Sequence, residues 1–248
     1  MNPFINGSLA VYRREMLIFR RRFKRQMAGQ AISPLLYLTT FGYAMGGELR
    51  FDGISYLDFL VPGLVAMASM TQAFAIATDI NVARFYWHIF DEFQAAPISN
   101  GSYVAGEVMA GITRAFMSIG IILGLGLLFG VRLHYGVLFW LAILLNSFFF
   151  ANLAVALAML VKSHADQSLL TNFVITPMAF LGGTFFPLDR LPAWLQHVLG
   201  LLPLTHASTA IRSAALGHEV HWQSLLLLAA MGSVIFPVAY HCVNRARD

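Results

Sequence analysis

The chain has 248 residues, 58% hydrophobic and only 11% charged, less than half the ~25% charged share of a water-facing globular protein. That excludes an ordinary soluble domain, and a mean hydropathy of +0.68 makes a bilayer the natural solvent. The net charge of +4 does not point to nucleic acid, because the basic residues gather at the N-terminus, as on the cytoplasmic face of a membrane.

Residues 8–25 come first. Leu9, Tyr12, Met16, Phe19 and Phe23 recur at steps of three and four, which places them on one helical stripe. Arg13, Arg14, Arg20, Arg21 and Lys24 lie elsewhere around the wheel. An apolar stripe beside a basic face predicts an amphipathic helix lying in the membrane interface, so residues 1–26 are read as a cytoplasmic interfacial element. Residues 27–248 form the membrane domain. Its apolar runs are Met27–Met45, Phe59–Thr78, Val108–Val131, Val137–Val161, Leu169–Phe186 and Leu225–Cys242. Each approaches the ~20 residues needed to cross the hydrocarbon, and none shows the alternation of a membrane β-barrel. The expected fold is all-α and integral to the membrane, with six transmembrane helices.

Lys and Arg then set the orientation. With six spans, Arg13, Arg14, Arg20, Arg21, Arg22, Lys24, Arg25, Arg84, Lys162, Arg245 and Arg247 share one side, eleven against the four at Arg50, Arg132, Arg190 and Arg212. The positive-inside rule puts both termini in the cytoplasm.

Between the second and third spans runs Arg84-Phe85-Tyr86-Trp87-His88-Ile89-Phe90-Asp91-Glu92-Phe93, then Gln94-Ala95-Ala96-Pro97-Ile98-Ser99. A plain connector is short and polar. This one is aromatic and mildly acidic, and it reads as a short helix ended by Pro97 and buried against the bilayer surface or a partner. On the opposite side, residues 187–216 are apolar but broken by Pro187, Pro192, Gly200 and Pro203 into pieces too short to span. They are read as short outer re-entrant or interfacial helices.

Chemistry-bearing motifs are few. No G-x-x-x-x-G-K-[ST] occurs, so a phosphate-cradling P-loop is excluded. Cys242 is alone, which leaves no intrachain disulfide, and His218-Glu219-Val220-His221 is one residue short of a zinc-protease spacing. No catalytic, metal or cofactor residue is assigned. Gly120, Gly124, Gly126 and Gly130 carry two G-x-x-x-G spacings, read as a helix-packing seam. Glu107 and Arg114, seven apart, share a face of the third span near its cytoplasmic end. They line a cavity or reach the interface by snorkelling. Asp79 is read as interfacial. Thr71, Gln72, Asn146, Asn152 and Asn172 place polar side chains within spans, where they bond between helices or line a substrate path.

This layout resembles the permease subunit of type-2 ATP-binding-cassette exporters, the group that includes polysaccharide, lipo-oligosaccharide and drug exporters. The resemblance spans nearly the whole chain. Its most specific pieces are Ala96-Pro97-Ile98-Ser99 and Gly182-Gly183-Thr184-Phe185-Phe186-Pro187-Leu188-Asp189-Arg190-Leu191-Pro192, running on to Leu202-Pro203-Leu204-Thr205 and Ile211-Arg212. Glu107 departs from it, since a basic residue is expected soon after the Pro-Ile-Ser turn. The resemblance implies that Arg84–Phe93 is a coupling helix, with Phe85, Tyr86, Trp87, Phe90, Asp91, Glu92 and Phe93 docking on a separate ATPase subunit. That partner would carry ATP and magnesium, so this chain holds no cofactor. A second permease copy, a homodimer, an inner-membrane location and export of a lipid-linked glycan or amphipathic compound are implied in the same way. The alternative is a self-sufficient, ion-coupled secondary transporter.

Overall fold

A computed structural model describes residues 2–44, 50–51, 53–219 and 221–246. Helix α1 (Pro3–Ala44) runs for 42 residues without interruption, so the chain does not break near residue 26. A two-stranded antiparallel ribbon follows, β1 (Arg50–Phe51) with β2 (Ile54–Ser55). Next come α2 (Tyr56–Phe74), α3 (Ile76–Phe85) and the short α4 (Ile89–Ala95). The long helices α5 (Asn100–Leu128) and α6 (Val137–Leu160) precede a helical run made of α7 (His164–Leu170), a π turn (Thr171–Ile175) and α8 (Thr176–Leu181). A 3₁₀ turn at Leu188–Arg190, α9 (Ala193–Leu199) and α10 (Pro203–Ala215) lead into α11 (Trp222–Arg245).

Among the described residues, four helical stretches are long and apolar enough to cross a membrane: Tyr56–Phe85, Asn100–Leu128, Val137–Leu160 and Trp222–Arg245. Six were expected, and the runs at 27–45 and 169–186 are not among these four. The first is part of the arginine-rich α1, and Met45 lies outside the described residues. The second stands in a run that starts on the polar turn His164-Ala165-Asp166-Gln167 and is interrupted by the π turn.

Helices α2, α5 and α6 form the centre, with α10 inserted against α2 and α6, α1 laid along α5, and α11 along α6. Lipid is as apolar as leucine, so such helices associate through close packing of small residues rather than by escape from water. The buried faces fit that demand: α2 buries Gly63, Ala66, Ala68, Ser69 and Ala73, and α6, packed beside it, buries Ala142, Ala151, Ala154 and Ala158. Leu60, Leu64, Ile119, Ile122, Phe139, Ile143 and Phe150, from α2, α5 and α6, are fully buried in one apolar core. The predicted glycine seam is closed at Gly126, where a Cβ would lie 3.2 Å from Val61 Cγ1 of α2, and open at the other three glycines. Nothing stands within 4 Å of a Cβ built on Gly120 or Gly124. The tightest approach of a glycine on α5 is at Gly106, where a Cβ would meet Val11 Cβ at 2.6 Å and the Ser8 carbonyl at 2.9 Å. There α1 and α5 touch backbone to backbone.

Candidate functional site

The buried stripe of α1 is rotated from the predicted one. Ser8, Val11, Glu15 and Phe19 are buried, whereas Leu9 is 36% and Phe23 42% exposed. At 100° per residue the two stripes differ by roughly 75°. The rotation carries a carboxylate inward. Glu15 is the only acidic residue of α1, and its Oε2 accepts from Arg114 Nη2 at 3.1 Å, while Oε1 accepts from Arg14 Nη1 at 2.6 Å. Arg114 Nη1 donates to Asp79 Oδ2. One guanidinium thus joins α1, α3 and α5. Tyr12 and Thr113 hydroxyls pair beside it at 3.2 Å. Burial pushes the Glu15 carboxyl above its ordinary value, against the pull of Arg114 and then Arg14. Glu107 is also buried, with Oε2 unpartnered among the described residues.

The aromatic segment is divided in two. It is not one helix from 84 to 93, because α3 ends at Phe85 and α4 starts at Ile89. The break centres on His88, whose φ of 51° is the one left-handed non-glycine conformation among the described residues. A helix cannot run through such a residue. Tyr86 and Trp87 stand out, 70% and 48% exposed, while Phe90 is buried. Phe90 and Phe93 pack edge-on to Tyr103 of α5 at 5.6 and 5.2 Å. Arg14 lies 5.1 Å over the Phe93 ring. Arg84 lies over Phe85 and Phe90 and donates to the Ala158 carbonyl near the end of α6. Glu92 is exposed, and the Asp91 side chain lies outside the described set.

Between the second half of α1 and helices α2, α5 and α8 opens a cavity of about 860 Å³. Arg22, Arg25, Gln26, Gln30 and Ser33 of α1 line it, with Thr71 and Gln72 of α2 and the apolar Met67, Ile122 and Phe180. Gln30 Nε2 donates to Gln72 Oε1 at 2.7 Å across it. The Oε1 atoms of Gln26 and Gln30 are buried and have no hydrogen-bond partner among the described residues, so each can accept a bond from water or a solute. The lining mixes amide, hydroxyl and guanidinium groups with hydrocarbon, as an amphipathic solute requires.

Of the predicted path residues, Thr71 and Gln72 line this cavity. Asn146 instead donates to Ser69 Oγ at 2.6 Å and to the Ala66 carbonyl, joining α6 to α2. Asn152 turns back to the Phe148 carbonyl of its own helix, Asn172 is exposed on the π turn, and Arg114 and Glu107 belong to the buried charged cluster. Sequence reasoning missed Glu15, Gln26 and Gln30. The available signal was one acid in a helix carrying seven Lys and Arg.

At the other end of α2, the Gly182-Gly183-Thr184 turn is a built structure. Arg212 of α10 donates from Nη2 to the Gly183 carbonyl at 2.7 Å and from Nε to the Phe59 carbonyl at 3.2 Å. Its guanidinium lies 3.8 Å over the Phe59 ring. Ser208 Oγ donates to the Gly182 carbonyl at 2.6 Å. Burial lowers the Arg212 pKa to about 10, with Tyr56 opposing. Gly63 leaves room for the Thr184 carbonyl, which any Cβ there would strike.

Against known proteins, residues 8–216 match the family described as ABC-2 type transporter. The chain is 29% identical over 238 residues to the inner membrane transport permease YadH of Escherichia coli K12, covering 94% of this chain and 91% of that protein. It is 33% identical over 216 residues to Nodulation protein J of Rhizobium meliloti strain 1021, covering 84% and 81%. To Nodulation protein J of Neorhizobium galegae it is 30% identical over 234 residues, covering 92% and 88%.

Proposed function

Because the chain belongs to the ABC-2 type transporter family, we propose that this membrane permease works as the transmembrane subunit of an exporter powered by a separate ATPase. The family match across residues 8–216 carries the reading, in a sequence that has no P-loop of its own. The inner-membrane permease among its relatives supports the same location here.

Residues 27–44 of α1 and the helical run 164–181 complete six spans in this reading. Each is ~27 Å long at 1.5 Å per residue, close to the hydrocarbon thickness. The basic bias then keeps both termini in the cytoplasm, with α4 and the Tyr86–His88 knuckle on the same side. Tyr86 and Trp87 are the side chains available to a partner groove, since exposed aromatics make the strongest anchors when buried in an interface. Phe90 and Phe93 act one step behind, seating α4 on Tyr103. A second copy of the permease completes the pathway, and ATP closure tilts the two copies as rigid bodies. The cargo is an amphipathic compound, a lipid-linked glycan among the candidates. Its polar head meets Gln26, Gln30, Thr71 and Gln72, and its hydrocarbon meets Met67, Ile122 and Phe180.

The test is a pull-down of the tagged permease from native membranes in mild detergent. Wild type is expected to bring down an ATP-hydrolysing subunit, and Tyr86→Ala/Trp87→Ala to lose at least about tenfold of it, as for two interface anchors. Phe90→Ala/Phe93→Ala should also lose it, with α4 released from Tyr103 and newly open to proteolysis. A wild-type permease that recovers no ATPase, and transports on an ion gradient alone, would overturn the reading in favour of a secondary transporter.

A further inference from the structure

The two halves of α1 are held in different ways. Up to Phe19 the helix is pressed on α5 at Gly106 and tied by Glu15 to Arg114. Beyond it, α1 borders the cavity, with the Gln30–Gln72 hydrogen bond crossing to α2. Between Glu15 and Gln30 the helix is unbroken, a rod of ~23 Å. At its clamped end the contacts form a continuous series. Phe93 of α4 lies under Arg14, Arg14 pairs with Glu15, Glu15 with Arg114, and Arg114 with Asp79.

Resting on the exporter reading above, we propose that Glu15 and Arg114 are positioning residues. They form an ionic clamp that makes α1 a lever, carrying displacement of α4 to the cavity wall at Gln26 and Gln30. The physical reason is the difference between charge and hydrocarbon in this setting. Apolar helix faces in lipid have no hydrophobic force opposing their separation and slide on one another at small cost. A buried guanidinium shared between two carboxylates has one favourable arrangement, and opening it leaves charges without compensation. Glu15 and Arg114 side chains are 4% and 5% exposed, so water does not take over the pairing when the helix is pulled. The rod is therefore held at Glu15 and moves as one piece from there. Asp79 ties the same fulcrum to α3, the helix that leads into the Tyr86–His88 knuckle.

The experiment uses the permease–ATPase complex recovered from native membranes and placed in lipid nanodiscs. Spin labels go on Gly29→Cys and Gly120→Cys, both positions with nothing within 4 Å of a Cβ, in a Cys242→Ser background. The distance between them is read nucleotide-free and with ADP–vanadate trapped. Wild type is expected to shift on trapping. Glu15→Gln and Arg114→Gln should reduce that shift about fivefold or more, the scale of a lost coupling, while the bound subunit goes on hydrolysing ATP. Arg114→Lys, which keeps the charge but not the two-pronged geometry, should restore part of it. Val11→Ala loosens the same helix contact without touching a charge and should leave the shift intact. If Arg114→Gln is not recovered folded, Glu15→Gln and the partly exposed Asp79→Asn decide the question. Clamp variants with a full shift, or a Val11→Ala variant that loses it equally, overturn the lever. So does a wild-type complex with bound ATPase and no shift, which leaves the exporter reading standing. Failure to recover any ATPase removes the exporter reading first and the lever with it.

Discussion

Two buried arginine sites lie roughly 30 Å apart along the rod formed by α2 and α3, and they are satisfied by opposite chemistry. Arg114 is compensated by Glu15 and Asp79, carboxylates on two other helices. Arg212 is satisfied by the neutral carbonyls of Phe59 and Gly183 and by the Phe59 ring. The first arrangement ties three helices together through charges that each need the other. The second fastens a glycine turn and the start of α2 to α10 with no carboxylate paired to it among the described residues. A cation held by carbonyls is a staple, fastened by groups that do not titrate. One held by carboxylates couples the positions of the helices that bear them.

The largest expected effect separates the two directly. Arg114→Ala leaves the buried Glu15 with Arg14 as its remaining cation and turns the partly exposed Asp79 to solvent, and should cost about 3 kcal/mol, the low end for a broken buried pair. Adding Glu15→Gln should recover part of that loss, giving a coupling of about 0.5–3 kcal/mol in a double-mutant cycle of thermal unfolding in detergent. Full additivity of the two substitutions would show that they do not act as a pair.

Arg212→Ala comes next. It removes two hydrogen bonds from a charged donor and a cation–π contact, for an expected loss of about 2 kcal/mol or more. Combined with Glu15→Gln it should be additive within about 0.5 kcal/mol, because the sites share no partner. A non-additive result would mean that the two ends of the α2–α3 rod are one cooperative unit.

The smallest effect is the pH dependence. Burial raises the folded-state pKa of Glu15 above 4.5, outweighing Arg114 and Arg14. The native chain therefore holds this proton more tightly than the unfolded one. The resulting contribution to stability is fullest below 4.5 and is lost as pH rises through the folded value. Relative to Glu15→Gln, wild type should lose stability as pH rises above about 4.5. Parallel stability curves for the two chains would remove Glu15 from the account. Arg212, lowered only to about 10, stays charged across that range and contributes no slope.

Much of this was open to reading along the chain. The apolar runs, the basic N-terminus, the aromatic segment before Pro97 and the broken outer segment with its Gly182–Pro192 signature are local patterns. Composition and spacing carry them because bilayer thickness and helix pitch act on each segment by itself. The absence of a P-loop was legible too, because that motif is a contiguous run of residues.

What faces what was not. The periodicity of residues 8–25 supports a helix but does not choose between stripes some 75° apart. Arg114, ninety-nine positions from Glu15 in sequence, makes the one carrying a carboxylate the inner one. Phe90 and Tyr86 are equally aromatic in the sequence, yet the left-handed turn at His88 and the Tyr103 ring bury one and expose the other. Local sequence determined which segments are helical and apolar, since those properties follow from neighbours within a turn or two. Only the tertiary structure decided which side chains compensate one another, because buried charge and close packing are satisfied across helices by groups that spacing alone does not bring together.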